Sequence, residues 1–133
     1  MIHSVIHFER PGLADNAATL ERNINGLPGY NCANWLSRSV DGIEGARVRG
    51  TPVPEDWGWA LVVDLGKDAF VVGCGSDPDK ESGWQILLGD NAIRGILPST
   101  RRRRTAALNA LTRQIDAFLR SQADVSNVRI ETD

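Results

Sequence analysis

The segment Trp57-Gly58-Trp59-Ala60-Leu61-Val62-Val63-Asp64, entered through Pro52-Val53-Pro54-Glu55-Asp56, constrains the fold more than any other part of the chain. Each proline holds the residue before it in extended geometry. Strand side chains alternate between faces, so the spacing places Trp57, Trp59, Leu61 and Val63 on one side of a sheet and Gly58, Ala60 and Val62 on the other. Both sides are apolar or small, which predicts a strand covered on both faces. Two more apolar runs follow, Ala69 to Gly75 and Gly83 to Leu88, set off by Leu65-Gly66-Lys67-Asp68 and by Ser76 to Ser82. Those separators are rich in turn formers, so the three runs predict an antiparallel meander. Phe70, Val72 and Cys74 share a face, as do Trp84, Ile86 and Leu88, and tryptophans of neighbouring strands are expected to pair across the sheet.

The flanks supply the second layer. Met1 to Phe8 alternates, with Ile2, Ile6 and Phe8 on one face and His3, Val5 and His7 on the other, a half-buried strand. Leu13, Ala17, Leu20 and Ile24 recur at four- and three-residue steps and predict a core-facing helix that Gly26 and Pro28 end. Trp35 to Val40 and Ile43 to Val48 read as strands joined at Asp41-Gly42, a pair suited to a tight hairpin. After Pro98-Ser99-Thr100, expected to supply a capping hydroxyl, Leu108, Leu111, Ile115, Phe118 and Leu119 form the apolar face of a long helix ending near Gln122. Val125 to Glu131 closes the chain as a strand. Two helices and seven candidate strands, in the order β-α-β-β-β-β-β-α-β, predict an α+β two-layer sandwich with both helices on one face of a mainly antiparallel sheet of about six strands.

At 133 residues, 41% apolar and 24% charged, the chain is expected to be one globular domain spanning 1–133. No apolar run reaches bilayer length and no secretory leader is evident, so the expectation is a cytoplasmic protein with no membrane partner. Cys32 and Cys74 form no CxxC pair and are expected to be reduced thiols, although one bridge between them is compatible with the sequence.

A net charge of −2 conceals two opposed blocks. From Pro52 to Asp90, eight acids face two lysines, a balance of −6; from Asn91 to Gln122, seven arginines face Asp116, a balance of +6. Arg101-Arg102-Arg103-Arg104 sets four cations at a helix start, against the positive end of the helix dipole. Arg102, Arg113 and Arg120 fall together on the face opposite the apolar stripe. Either the cluster is an anion patch for phosphate, nucleic acid or an acidic protein, or it is solvated or pairs with the acidic block of the same molecule. The latter is slightly favoured, and the acidic pI of 5.7 also weighs against a dedicated nucleic-acid binder.

Few residues suit catalysis or metal binding. His3 and His7, four apart on a strand, are separated by about 13 Å, too far for one ion. Cys74, in Gly73-Cys74-Gly75-Ser76, would need His3 or His7 as its base to act as a nucleophile. Asp77-Pro78-Asp79-Lys80-Glu81-Ser82-Gly83 resembles a calcium loop, but its glycine is one place late and Leu88 stands where the bidentate Glu is required. Glu55 and Asp56 are adjacent and point to opposite faces. No catalytic residue, metal ligand or cofactor is therefore assigned, and an enzyme is the minority expectation.

The string Pro54-Glu55-Asp56-Trp57-Gly58-Trp59, followed by Val72-Gly73-Cys74-Gly75 and Trp84, resembles a motif of small uncharacterised bacterial or phage proteins. That resemblance covers the middle third and implies a compact α+β fold; it carries no catalytic residue. The favoured expectation is an interaction protein that binds and regulates or neutralises another macromolecule, of the immunity or anti-defence type. Its expected contacts are Trp57, Trp59, Trp84, Arg101, Arg102, Arg103, Arg104 and Arg113, since tryptophan and arginine dominate binding hot spots. A protein partner is favoured, with nucleic acid or another anion through the arginines, or a homodimer, as further arrangements. The alternative is a small-ligand or hydrolytic enzyme with a Cys74/His7 site.

Overall fold

The computed structural model describes residues 2–90 and 97–132. Its elements, in order, are β1 (Ile2–Glu9), a single helical turn α1 (Ala17–Leu20), α2 (Tyr30–Asp41), β2 (Ala46–Glu55), β3 (Gly58–Leu65), β4 (Asp68–Ser76), β5 (Gly83–Gly89), α3 (Pro98–Ser121) and β6 (Ser126–Thr132). The six strands form one sheet in the order β2-β3-β4-β5-β1-β6, antiparallel at every pairing. This is the expected α+β arrangement, and the three-run meander is present as β3, β4 and β5. Against one face, α2 packs on β2, β3 and β4, while α3 packs on β5, β1 and β6.

The alternation of the strands explains the layering. Ile6, Phe8, Trp59, Leu61, Val63, Phe70, Val72, Cys74, Trp84, Ile86 and Leu88 all point to the helix side and are buried. They meet Leu36 and Val40 of α2 and Leu108, Leu111, Ile115 and Leu119 of α3 in one core. Each large side chain so buried contributes roughly 1.5–3 kcal/mol. Trp59 and Trp84 do not pair across the sheet: Trp59 meets the Tyr30 ring edge-on at 5.1 Å, and Trp84 stands beside Phe8 in register.

Two expected elements are replaced. In place of a helix over Leu13 to Ile24 there is only the turn α1, started by the Asn16 side chain, which accepts from the Thr19 N–H at 2.9 Å. The helix cannot continue because Asn23 is drawn into the turn between β2 and β3, which leaves Ile24 86% exposed. In place of a hairpin over Trp35 to Val48, the first half is helix α2, and β2 begins only at Ala46. Cys32, Ala33, Leu36 and Val40 form its buried stripe. The start of α2 is held from a distance: the Asp15 carboxylate accepts from the backbone N–H groups of Gly29 (2.7 Å), Tyr30 (3.1 Å) and Asn31 (2.7 Å). These are orphan donors of a helix N-terminus, normally satisfied by a local cap.

In α3, Leu97 occupies the N-cap without a side-chain hydrogen bond, and Pro98 begins the helix with a preset φ. The capping hydroxyl expected from Ser99 or Thr100 is not used, since both lie inside the first turn. Phe118 is half-buried, whereas Arg104 and Thr112 join the buried stripe.

Candidate binding face

The turn after Pro52-Val53-Pro54-Glu55-Asp56 is built by residues distant in sequence. The Asn23 side-chain NH2 donates to the carbonyls of Glu55 and Gly58, both at 2.8 Å, while its oxygen accepts from the N–H groups of Asn25 and Leu27. Asn25 donates to the Asp56 carbonyl at 2.7 Å, and the Trp59 indole N–H donates to the Leu27 carbonyl at 3.1 Å. The β2–β3 turn is thus clasped by residues 23–27. A Cβ on Gly58 would lie 2.4 Å from the Cys74 carbonyl oxygen, so glycine is needed where β3 begins.

This turn reverses the expected placement of Trp57. It precedes β3 and swings its indole onto the face away from the helices, over Gly73, where an added Cβ would meet the ring at 2.3 Å. Trp57 and Trp59 therefore lie on opposite faces: Trp59 is fully buried in the core, and Trp57 is 40% exposed. Gly73 is the platform for the ring, with Leu87 beside it.

No described helix covers this face. Its centre is a row crossing the sheet in register, Val53, Ala60, Gly73, Leu87 and Val5. Val62 and Val71 pair alongside that row. Val5, Val62, Val71 and Leu87 are half-buried, and Val53 is 46% exposed. Charged groups mark both ends. At the β2 end, Arg49 pairs with Asp64, which raises the Arg49 pKa. At the β6 end, Glu131 is bonded by Arg129 and approached by the His7 ring at 3.3 Å. The hydrogen bond from Arg129 is the main cause that holds Glu131 below the usual carboxylate range; His7 adds to it and partial desolvation opposes it.

The arginine tetrad divides. Arg104 is buried, its Nε and Nη2 donating to Asp90 at 2.9 and 2.7 Å and its Nη1 to Asp68 at 3.0 Å, with the guanidinium 4.7 Å from the Phe70 ring centre. Its Nη2 also reaches the Ala69 carbonyl at 3.0 Å. The hydrogen bonds that Arg104 donates to Asp90 lead in raising the Arg104 pKa, against the opposing effect of burial. Arg103 donates to both oxygens of Asp68. The basic and acidic blocks therefore meet inside one molecule, and Arg103 and Arg104 bind helix to sheet. Arg101, Arg102 and Arg113 are exposed on α3. Because α3 packs on the other face of the sheet, Arg102 and Arg113 do not share a surface with Trp57. Of the eight expected contacts, Trp59 and Trp84 are in the core and Arg104 is in the buried network.

Cys74 and His7 are also separated by the sheet. Cys74 is fully buried on the helix side, paired with Trp59 and Ile86, whereas His7 lies on the open face opposite Gln85. His7 cannot serve as base to that thiol. His3 instead turns to the helix layer through an irregularity between Ile2 and Ser4 and bonds the Asn109 side chain. Cys32 neighbours Cys74; burial first, then Cys74, pushes its thiol pKa well up, and both thiols are unlinked. Among the described residues no group of three His, Cys, Asp or Glu side chains is placed to hold a metal, and no helix is long and apolar enough to cross a membrane.

Residues of the open face that sequence reasoning did not single out are Val53, Ala60, Gly73 and Leu87. Their signal was present in the alternate positions of β2 to β5, where small and apolar residues stand opposite the core set. The fold and this face define a two-layer α+β sandwich with one partly apolar sheet surface that no helix covers among the described residues. No protein-family model matches the chain, and no curated protein or solved structure matches it either.

Proposed function

We propose that this protein is a small interaction module that binds another protein through the bare sheet face centred on Trp57, and so regulates or neutralises it. The observation that carries this reading is the Trp57 indole, 40% exposed yet fixed on Gly73 at the head of an apolar row. A large aromatic held in place loses little freedom on binding, and an apolar centre with a polar rim is the usual anatomy of a protein interface. The rim here carries both signs of charge, which suits a protein better than a polyanion. For nucleic acid or another anion, the members of the α3 arginine group that stay exposed among the described residues are Arg101, Arg102 and Arg113 on the helix layer, with Arg103 and Arg104 already engaged. Immunity or anti-defence proteins of bacteria and phages, acting in the cytoplasm, are the class in which such a compact binder would work.

The test compares partner capture from the native host by the wild type, by Trp57→Ala/Leu87→Arg and by Arg102→Glu/Arg113→Glu, with circular dichroism as the folding control. The reading expects capture to be lost in the first variant and retained in the second. The reverse pattern would transfer the function to the arginine surface.

A further inference from the structure

The two edges of the sheet are protected differently. The β2 edge carries Pro52 and Pro54, which lack N–H donors, and its register breaks between Arg49 and Val53, where Gly50 has φ 70°. Prolines and bulges are devices that stop an edge strand from pairing with another chain. The β6 edge has no proline, and its irregularity is confined to its start, near Asn127 at φ 54°. From Arg129 to Thr132 it runs in regular register along β1, and among the described residues it pairs with no other strand. Arg120 reaches the Val128 carbonyl from α3, so the open part of this edge is Arg129 to Thr132.

The side chains of this stretch are self-complementary in one register. Two copies of β6 placed antiparallel about a two-fold axis at Ile130 set Arg129 of each opposite Glu131 of the other. An axis at Arg129 or at Glu131 would instead place like charges face to face, which is unfavourable across strands. Both residues are exposed and lie on the open face, with Ile130 on the helix side meeting its own copy.

We propose that two copies of this chain associate through β6, antiparallel about Ile130, extending the six-stranded sheet across the two-fold axis. The axis stands perpendicular to the sheet, so both Trp57 faces look the same way and the dimer presents the surface twice. This association does not depend on what that face binds. So short a shared strand buries less than the roughly 1,200 Å² of a stable specific interface, so the dimer is weak and concentration-dependent.

Sedimentation velocity from about 10 to about 500 µM chain tests it. The weight-average mass should climb from the 14.5 kDa of one chain toward twice that value. Arg129→Glu and Glu131→Arg each convert both cross-strand pairs into like charges and should loosen the dimer about tenfold or more. The swap Arg129→Glu/Glu131→Arg restores opposite charges and should return association to within about threefold of the wild type. All three variants change only the exposed positions 129 and 131, and circular dichroism checks their folding. A chain that stays monomeric across the range, or a dimer indifferent to the single substitutions, overturns the proposal.

Discussion

Replacing Arg104 with methionine keeps most of the side-chain volume in the α3 stripe and removes only the guanidinium. Four hydrogen bonds go with it, two to Asp90, one to Asp68 and one to the Ala69 carbonyl. Asp68 keeps Arg103, which is itself 42% exposed, while Asp90, with a side chain only 5% exposed, loses the Arg104 cation. Removing one partner from a buried ion pair costs about 3–5 kcal/mol, because the remaining buried carboxylate loses two charge-assisted hydrogen bonds and the guanidinium that offset its desolvation. Against a typical total of roughly 5–15 kcal/mol, that is a large share of the stability. For a chain of this size it corresponds to a fall in Tm of roughly 10–20 °C. Urea and thermal unfolding followed by circular dichroism give the number, with exposed Arg102→Met as the reference, expected within about 0.5 kcal/mol of the wild type. Adding Asp90→Asn to Arg104→Met should recover part of the loss, since the buried carboxylate is then gone. A cost below about 1 kcal/mol for Arg104→Met, no larger than for Arg102→Met, would refute the assignment of this arginine to a buried network.

Other perturbations follow from the same contacts. Asn23→Ala removes the four side-chain bonds that clasp the β2–β3 turn and should cost about 2–4 kcal/mol in urea unfolding, with Trp57 shifting toward solvent as seen by its fluorescence. Cys32 stays neutral in the folded protein because its pKa is raised, whereas the unfolded chain ionises as pH passes the ordinary thiol value of 9.0. Its contribution to stability is therefore complete below that value and declines as pH rises above it; Cys32→Ala should flatten this alkaline decline in unfolding midpoints. Arg129→Ala removes the main cause that holds Glu131 low, so the Glu131 carboxyl titration followed by NMR should move up toward the ordinary carboxylate value.

Most of the sheet was legible because period-two alternation is a strong local signal. Met1 to Phe8 corresponds to β1, Ala69 to Gly75 to β4, Gly83 to Leu88 to β5 and Val125 to Glu131 to β6, each within a residue or two. The stripe of α3 was equally plain. What failed depended on contacts between distant residues. Helix α2 contains β-branched and aromatic side chains, Trp35 and Val40, and its start is satisfied by Asp15, fourteen to sixteen residues away. The helix expected over Leu13 to Ile24 gave way because Asn23 satisfies two carbonyls of the β2–β3 turn, which a helical position would not permit. The same turn explains the Trp57 face: alternation predicts its side only if the strand already includes it, and β3 begins one residue later. The split of the arginine tetrad was visible only as two opposed charge blocks, since spacing along α3 cannot tell which cation will meet Asp68 and Asp90.

Hydroxyl-radical footprinting of the protein alone and with its captured partner measures the central claim most directly. Alone, Trp57 should be oxidised well ahead of the buried Trp59 and Trp84. With the partner bound, Trp57 and Leu87 should become protected while the α3 peptide carrying Arg102 and Arg113 keeps its reactivity. Protection of that α3 surface with Trp57 unchanged would contradict the account.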